Sequence, residues 1–199
     1  MLMQNSFKFW TPQKGINKIR FLPNKNHDDF FVTFHTHYIP SPTTISKLRQ
    51  QATVLFPRKV NDDAFIMKIC TCDNSCPFCA EGHKSFNRVL FNVYDMQEEK
   101  LPKLRRKVFI WNASYHVLEQ VLNIRSKYDD ITNYSKGRNV IVLIDTVEPY
   151  MHLRLVPEIK SSRVQIFKSD LYDLNEVIRT YFQYKPTPVK PYLRMIRLM

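Results

Sequence analysis

The sequence predicts a mainly β fold with flanking helices, and three observations support this prediction. Short segments that are rich in β-branched and aromatic residues are separated by proline-containing, polar or charged turns. Two longer segments carry apolar residues at helical spacing. All four cysteines lie between Cys70 and Cys79, where they interrupt the strands. This pattern is typical of an OB-like Greek-key barrel with an inserted zinc-binding subdomain.

The length of 199 residues and the apolar fraction of 44% are sufficient for one domain with a real core. We expect this core to span residues 1–184, with the zinc subdomain inserted at about 35–86. Residues 185–199 form a Pro-rich, basic C-terminal tail. No apolar run approaches the 18 residues of a membrane span, and the first residues do not resemble a signal peptide. We therefore expect no membrane partner and a cytoplasmic protein with reduced thiols.

Three strands are predicted up to the cysteines. Residues 17–23 alternate between polar and apolar side chains, and residues 30–39 are rich in aromatic and β-branched types. His35 and His37 lie on one face of the second strand, because side chains repeat every two residues. Residues 64–70 form a strand that leads into the cysteine cluster. The strands predicted after the cysteines are 87–95, 108–111, 139–147 and 151–156, the last two as a hairpin.

Three helices are predicted. A short polar helix is expected over residues 43–53. The second begins after Ser114 as its N-cap and covers residues 115–124, with an apolar stripe that predicts core packing. The third is capped by Ser169, and its apolar face is formed by Leu171, Leu174, Val177, Ile178, Tyr181 and Phe182.

The cysteine cluster predicts one structural zinc ion. Cys76 and Cys79 form a C-x-x-C pair, whose spacing lets two thiolates on one tight turn bind the same tetrahedral ion. Pro77 stiffens that turn. The other two ligands are drawn from Cys70, Cys72, His35, His37 and His83. Two ligand sets are possible. One consists of four cysteines, and the other of three thiolates with one imidazole from His37 or His83. The second is possible because one cysteine at the end of the strand can point away from the ion.

The charge balance predicts a polyanionic partner, with nucleic acid first. The chain has 30 basic and 18 acidic residues, a net charge of +12 and 13% aromatic residues. Cations beside aromatic rings suit a groove that tracks phosphates and stacks bases. The phosphate-contact candidates are Lys103, Arg105, Arg106 and Lys107, with Lys18, Arg20, Arg58, Lys59 and Arg88 as further candidates. The base-stacking candidates are Trp111, Tyr94, Tyr115, Phe91 and Phe78.

No pattern in the sequence indicates an enzyme. The chain has only three glycines, and it contains neither G-x-x-x-x-G-K-[ST] nor G-x-G-x-x-G. H-E-x-x-H and a nucleophile elbow are also absent. The acidic pairs are adjacent in sequence, which places their side chains on opposite faces of a strand. We therefore predict a non-enzymatic protein.

Several short motifs follow one another along most of the chain. They are F-W-T-P at 9–12, I-R-F-L-P at 19–23, H-Y-I at 37–39, Cys70, C-P-F-C at 76–79, F-N-V-Y-D at 91–95, K-V-F at 107–109 and G-R-N-V-I-V-L at 137–143. This ordered set resembles the zinc-containing single-stranded-DNA-binding (helix-destabilising) proteins of T-even-like phages.

The resemblance implies an OB fold, zinc ligands His37, Cys70, Cys76 and Cys79 with Cys72 as the alternative, and coating of single-stranded DNA in replication, recombination and repair. It also implies self-association along the DNA and contacts with replication proteins, although this chain ends basic where the family has an acidic tail. For a viral protein, the expected location is the host cytoplasm.

Two other function classes fit the same residues. One is a zinc-stabilised RNA-binding or transcription-regulating module. The other is a non-enzymatic assembly protein whose positive charge docks it to an acidic partner. Competition between single-stranded DNA, duplex and RNA separates these classes.

Overall fold

The fold is built around one mixed eight-stranded sheet, which confirms the mainly β prediction. The computed structural model describes residues 7–40, 65–72, 75–96, 108–147 and 150–182. The predicted helix at 43–53 and the tail at 185–199 lie outside these residues. The strands are β1 Phe9–Trp10, β2 Gly15–Leu22, β3 Phe31–Pro40, β4 Phe65–Cys70, β5 Ser85–Asp95, β6 Val108–Ser114, β7 Arg138–Val147 and β8 Tyr150–Ser161. The helices are α1 Pro77–Ala80, α2 Tyr115–Tyr128 and α3 Leu174–Tyr181.

The long strand β5 connects the parts of the sheet. One of its edges pairs with β6, and its other edge pairs with β3 through residues 85–91 and with β2 through residues 92–95. The main path of the sheet runs β1-β6-β5-β2-β7-β8, with β4 attached through β3. The short β1 runs parallel to β6, and the other pairs are antiparallel. The OB-like Greek-key topology stays a prediction.

Both faces of β5 are covered by hydrophobic clusters, and successive side chains of β5 point alternately into the two clusters. Phe91 packs in the main core under α2, against Phe21 and Trp111. Leu90 lies in a second cluster with Leu174 of α3. Complete burial of each of these large side chains stabilises the fold by about 1.5–3 kcal/mol. Among the described residues, no helix is both long and apolar enough to cross a bilayer.

Arg20 on β2 lies fully buried and holds two peripheral segments against the sheet. Its guanidinium donates to Asn139 Oδ1 at 2.7 and 3.1 Å, to the Asn133 carbonyl at 3.1 Å and to Ser162 Oγ at 2.6 Å. Burial lowers the pKa of Arg20 to about 10, although nearby Glu158 opposes this shift. The group is therefore still charged at neutral pH, and its hydrogen bonds offset the desolvation of that charge.

A side chain of α2 makes hydrogen bonds to the backbone along the outer edge of strand β8. Gln120 Nε2 donates to the Leu153 carbonyl at 3.3 Å, and Gln120 Oε1 accepts from the Leu155 N–H at 2.9 Å. These two backbone groups would otherwise point away from β7 along the open edge. The arrangement blocks part of an edge to which another chain could pair.

The ends of the two longer helices correct the predicted caps. Ser114 occupies the N-cap position of α2, but its side chain makes no capping hydrogen bond, and the helix continues to Tyr128 rather than 124. Ser169 lies in a short 3-10 turn and is not the cap of α3. That cap is Asp173, whose carboxylate accepts two backbone N–H groups of the first turn at 3.0 and 3.1 Å. The signal was the D-x-x-E spacing from Asp173 to Glu176.

Candidate metal centre and aromatic surface

Four predicted ligands meet at one point. Their donor atoms all lie within 4.8 Å of one another, close enough to hold a metal ion. His37 Nε2 is 3.5 Å from both Cys76 Sγ and Cys79 Sγ, and Cys70 Sγ is 3.4 Å from Cys79 Sγ. A tetrahedral ion with metal–sulfur bonds of about 2.3 Å and a metal–nitrogen bond of about 2.0 Å separates its donors by about 3.5–3.8 Å. The observed spacing is close to these values, so the donor set fits one tetrahedral ion.

Three elements bring these donors together. His37 and Cys70 belong to the paired strands β3 and β4, and Cys70 faces His35 directly, so it lies one step from His37 on the same face. Cys76 and Cys79 belong to the turn of α1, where Cys76 is the N-cap. The Cys76 carbonyl accepts the Ala80 N–H at 3.1 Å, which closes the turn and brings both thiols to one side.

A hydrogen bond orients the His37 ring. His37 is fully buried, and its Nδ1 lies 3.2 Å from the carbonyl oxygen of Lys84. Since a carbonyl only accepts, Nδ1 carries the proton and donates. Nε2 then presents its lone pair to the cysteine sulfurs. Metal-bound histidines commonly have such a backbone partner for the second ring nitrogen.

The thiols hold their protons unequally in the absence of an ion. Burial by itself would raise the pKa of Cys76, but hydrogen bonds from backbone N–H groups, that of Cys79 first, oppose burial, and the net effect lowers this pKa to about 6. The hydrogen bond with Cys70, assisted by burial, raises the pKa of Cys79 to about 12. A bound cation must therefore displace protons, so metal binding weakens as the pH falls.

The other predicted ligand candidates lie outside this group. Cys72 follows the end of β4 and is exposed, with its sulfur 3.4 Å from Cys70 Sγ. His35 is exposed on β3, and His83 forms an ion pair with Glu81 at 3.4 Å when it is protonated. The structure therefore favours three thiolates and one imidazole over an all-cysteine site.

Several predicted nucleic-acid contacts are wrong because the side chains are core residues. Trp111 is 3% exposed and packs edge-to-face on Trp10 with ring centroids 5.0 Å apart, so its ring cannot stack on a base. Phe91 is fully buried in the same cluster. Arg20 is buried in the hydrogen-bond network of β2 and cannot contact a phosphate.

Other candidates remain accessible in part or lie outside the described residues. Lys18 is ion-paired with Glu158 at 2.7 Å, and Tyr94 is half-buried. Phe78 is half-buried beside His37, with ring centroids 5.6 Å apart. Those outside the described residues are Arg58, Lys59, Lys103, Arg105, Arg106 and Lys107.

Arg88 and Tyr115 lie close together in the fold. Arg88 is half-buried and donates to Asn112 Oδ1 at 3.0 Å and to the Asn112 carbonyl at 2.8 Å. Burial lowers the pKa of Arg88. Tyr115 is exposed and directly follows Ser114, the strand partner of Arg88. The predicted phosphate contact of Arg88 and the predicted base stacking of Tyr115 therefore stay predictions.

The structure reveals an exposed surface that sequence reasoning missed. Tyr38 and Phe86 are 37% and 41% exposed, and their rings meet edge-to-face at 5.4 Å. Lys84 Nζ lies 5.7 Å from the Phe86 ring centroid. Arg88 follows on the same face of β5, two residues after Phe86. We call Tyr38, Lys84, Phe86 and Arg88 the aromatic surface; the signal for it was that Tyr38 must point away from an inward-facing His37.

Neither the known protein families nor the curated proteins contain a significant match to this chain.

Proposed function

We propose that this protein is a zinc-stabilised, sequence-tolerant single-stranded-DNA-binding protein that coats DNA during replication, recombination and repair. The observation that carries the proposal is the aromatic surface, where two open rings lie beside two cations. An unstacked base presents a flat π-face to a ring, and the adjacent phosphates attract cations. Duplex DNA hides its base faces in the stack, so this combination favours single strands.

The rings provide sequence-tolerant contacts. Tyr38 and Phe86 leave more than a third of their surface open, on the outer side of β3 and β5. Stacking contributes roughly 1–3 kcal/mol per base and does not require a particular base. The lysine and arginine have different roles, because Lys84 is exposed whereas Arg88 is held by Asn112. Lys84 can therefore contact a phosphate of the DNA directly. Arg88 provides a positive charge at a fixed position beneath the bound DNA strand.

The metal centre would position this surface without contacting DNA. His37 immediately precedes Tyr38 on β3, and its Nδ1 donates to the backbone of Lys84. One imidazole thus links the metal centre to two members of the aromatic surface. A tetrahedral set of three sulfurs and one nitrogen is characteristic of zinc, and four protein ligands leave no position for a reacting water. The ion would be structural.

The overall charge supports a polyanionic ligand. A net charge of +12 attracts a nucleic-acid strand over a distance set by the ionic strength. An acidic protein partner would experience the same attraction, but exposed rings beside a lysine and an arginine suit bases better than carboxylates. An RNA strand offers the same π-faces, so RNA is an outcome that the test must separate.

The test measures binding of a labelled single-stranded oligonucleotide by fluorescence anisotropy, with duplex and RNA competitors. We expect single-stranded DNA to compete much better than duplex or RNA, and a log–log salt slope of roughly −0.7 per phosphate contacted. Equal competition by duplex contradicts the proposal. RNA preference supports the RNA-binding class, and a flat salt response supports the assembly class.

Two variants connect binding to the aromatic surface. Tyr38→Ala and Phe86→Ala should each weaken single-strand binding by about 5- to 150-fold, the equivalent of about 1–3 kcal/mol of stacking. The matched control is Phe167→Ala, because Phe167 is an exposed ring (77%) on a different part of the fold. Unchanged affinity in both test variants, or an equal loss in the control, contradicts the assigned surface.

A further inference from the structure

The fourth cysteine is placed against a metal ligand. Cys72 Sγ lies 3.4 Å from Cys70 Sγ, and the Cys72 backbone N–H donates to the same Cys70 sulfur at 3.3 Å. Cys72 is exposed, whereas Cys70 is buried. Cys72 is outside the four-donor group, so a bound ion does not require the Cys72 thiol.

The backbone at Cys72 is unusual for a cysteine. Its φ of 56° lies in the left-handed region, which glycine and asparagine adopt more easily than other residues. This conformation wraps the chain around the Cys70 sulfur and brings both the N–H and the thiol of Cys72 to it. Strained positions of this kind are enriched at functional sites. The thiol at this position requires an explanation other than core packing or metal binding.

We propose that Cys72 is an oxidation site through which hydrogen peroxide releases the metal ion. The proposal rests on the metal part of the proposed function and does not depend on DNA binding. The Cys72 sulfur attacks one oxygen of hydrogen peroxide, and the O–O bond breaks. The departing hydroxide takes up the thiol proton and leaves as water, and Cys72 becomes a sulfenic acid. The Cys70 thiolate then attacks the Cys72 sulfur, an S–S bond forms, and the S–O bond breaks. The departing hydroxide takes a proton from solvent and becomes the second water.

The consequence for the metal follows from the shared ligand. Two sulfurs lose two electrons to the peroxide, and Cys70 no longer donates to the ion. Three protein donors remain, so the ion becomes weakly held. A thiol reductant reverses the reaction by thiol–disulfide exchange and restores the fourth ligand. The device would loosen the segment between β4 and β5, which carries Lys84 of the aromatic surface.

The test uses the full chain loaded with zinc and treated with hydrogen peroxide. Released zinc is followed with a chromogenic chelator, and disulfides are located by peptide mapping. We expect zinc release at least tenfold slower in Cys72→Ser than in the wild type, and a Cys70–Cys72 disulfide as the first product. Reductant and zinc together should restore the original metal content. Cys72→Ala is the second variant and should behave like Cys72→Ser.

Three outcomes overturn the proposal. These are equal release rates in the wild type and both variants, a Cys76–Cys79 disulfide as the first product, and loss of zinc from the variants before oxidation. The last would make Cys72 a ligand. A wild-type chain that takes up no zinc contradicts the proposed metal itself, whereas a zinc-loaded chain insensitive to Cys72→Ser contradicts only the oxidation site.

Discussion

Gly137→Ala tests whether the buried Arg20 network holds the fold together. A Cβ added at Gly137 would lie 2.4 Å from the Asn133 carbonyl oxygen, 2.7 Å from the Ile131 carbonyl oxygen and 2.9 Å from Arg20 Nη1. Two of these three atoms belong to the backbone, which cannot move aside as a flexible side chain would. The methyl group must therefore displace the segment that Arg20 holds.

The magnitude follows from two contributions. Overpacking of a buried position costs about 1–3 kcal/mol. The Asn133 carbonyl also accepts the Gly137 N–H at 2.9 Å and the Arg20 guanidinium at 3.1 Å. Weakening a hydrogen bond to a buried charge costs about 1.5–3 kcal/mol more. Together, these two contributions should lower the free energy of unfolding of Gly137→Ala by about 2.5–6 kcal/mol.

The matched control is Gly82→Ala. Gly82 has a φ of +80° but no atom within 4 Å of an added Cβ. Its substitution should cost only the backbone strain of about 1–2 kcal/mol. Urea unfolding of the zinc-loaded protein, followed by fluorescence of Trp10 and Trp111 in the core, measures both. If Gly137→Ala is no more destabilising than Gly82→Ala, the assigned role of the Arg20 network is wrong.

Three further predictions concern the metal centre, the helix cap and the sheet edge. His37→Ala should weaken zinc binding by at least about 100-fold, more than the loss of an outer hydrogen-bond partner; chelator competition measures this, and an unchanged affinity would exclude His37 as a ligand. Burial by itself would raise the pKa of Asp173, but hydrogen bonds from the Asn26 side chain and from the backbone N–H groups of Glu176 and Asn175 outweigh burial. The pKa of Asp173 therefore lies below its ordinary value of 3.8. Its stabilisation is present above that value and lost as the pH falls through the folded pKa, so the unfolding free energies of wild type and Asp173→Asn should converge in acid; a constant difference would contradict this. Gln120→Leu should cost about 1–3 kcal/mol and increase light scattering with concentration, because it uncaps β8; unchanged scattering would show that other groups protect the edge.

Local patterns were sufficient to predict most of the sheet. The alternation in β2 and the β-branched run of β7 predicted these strands nearly to their ends, because both place one face in the main core. Helix caps were predicted less well. Ser114 and Ser169 have suitable side chains, but capping depends on backbone geometry that a serine does not impose.

The errors among the candidate contacts have one physical origin. Trp111 was predicted to be open because polar residues follow it, but Asn112 serves as the partner of Arg88 on the opposite face of the sheet. Because α2 covers one face of the sheet and α3 covers the other, neither face is exposed to solvent near the centre of the sheet. A polar residue next to an aromatic residue there does not indicate that the aromatic ring is exposed. Arg20 shows the same effect, since a buried cation with five hydrogen bonds resembles a surface arginine in the sequence.

The sequence by itself determined the donor chemistry, because four thiols within ten residues and imidazoles on a nearby strand predict a tetrahedral metal site. It also determined the cationic character of the chain. Only the tertiary structure decided which donors meet and which rings stay open. The register of β3 against β4 and β5 turns His37 inward and Tyr38 outward, and a shift of one residue would exchange them. Pairing between distant strands sets that register, and local composition does not encode it.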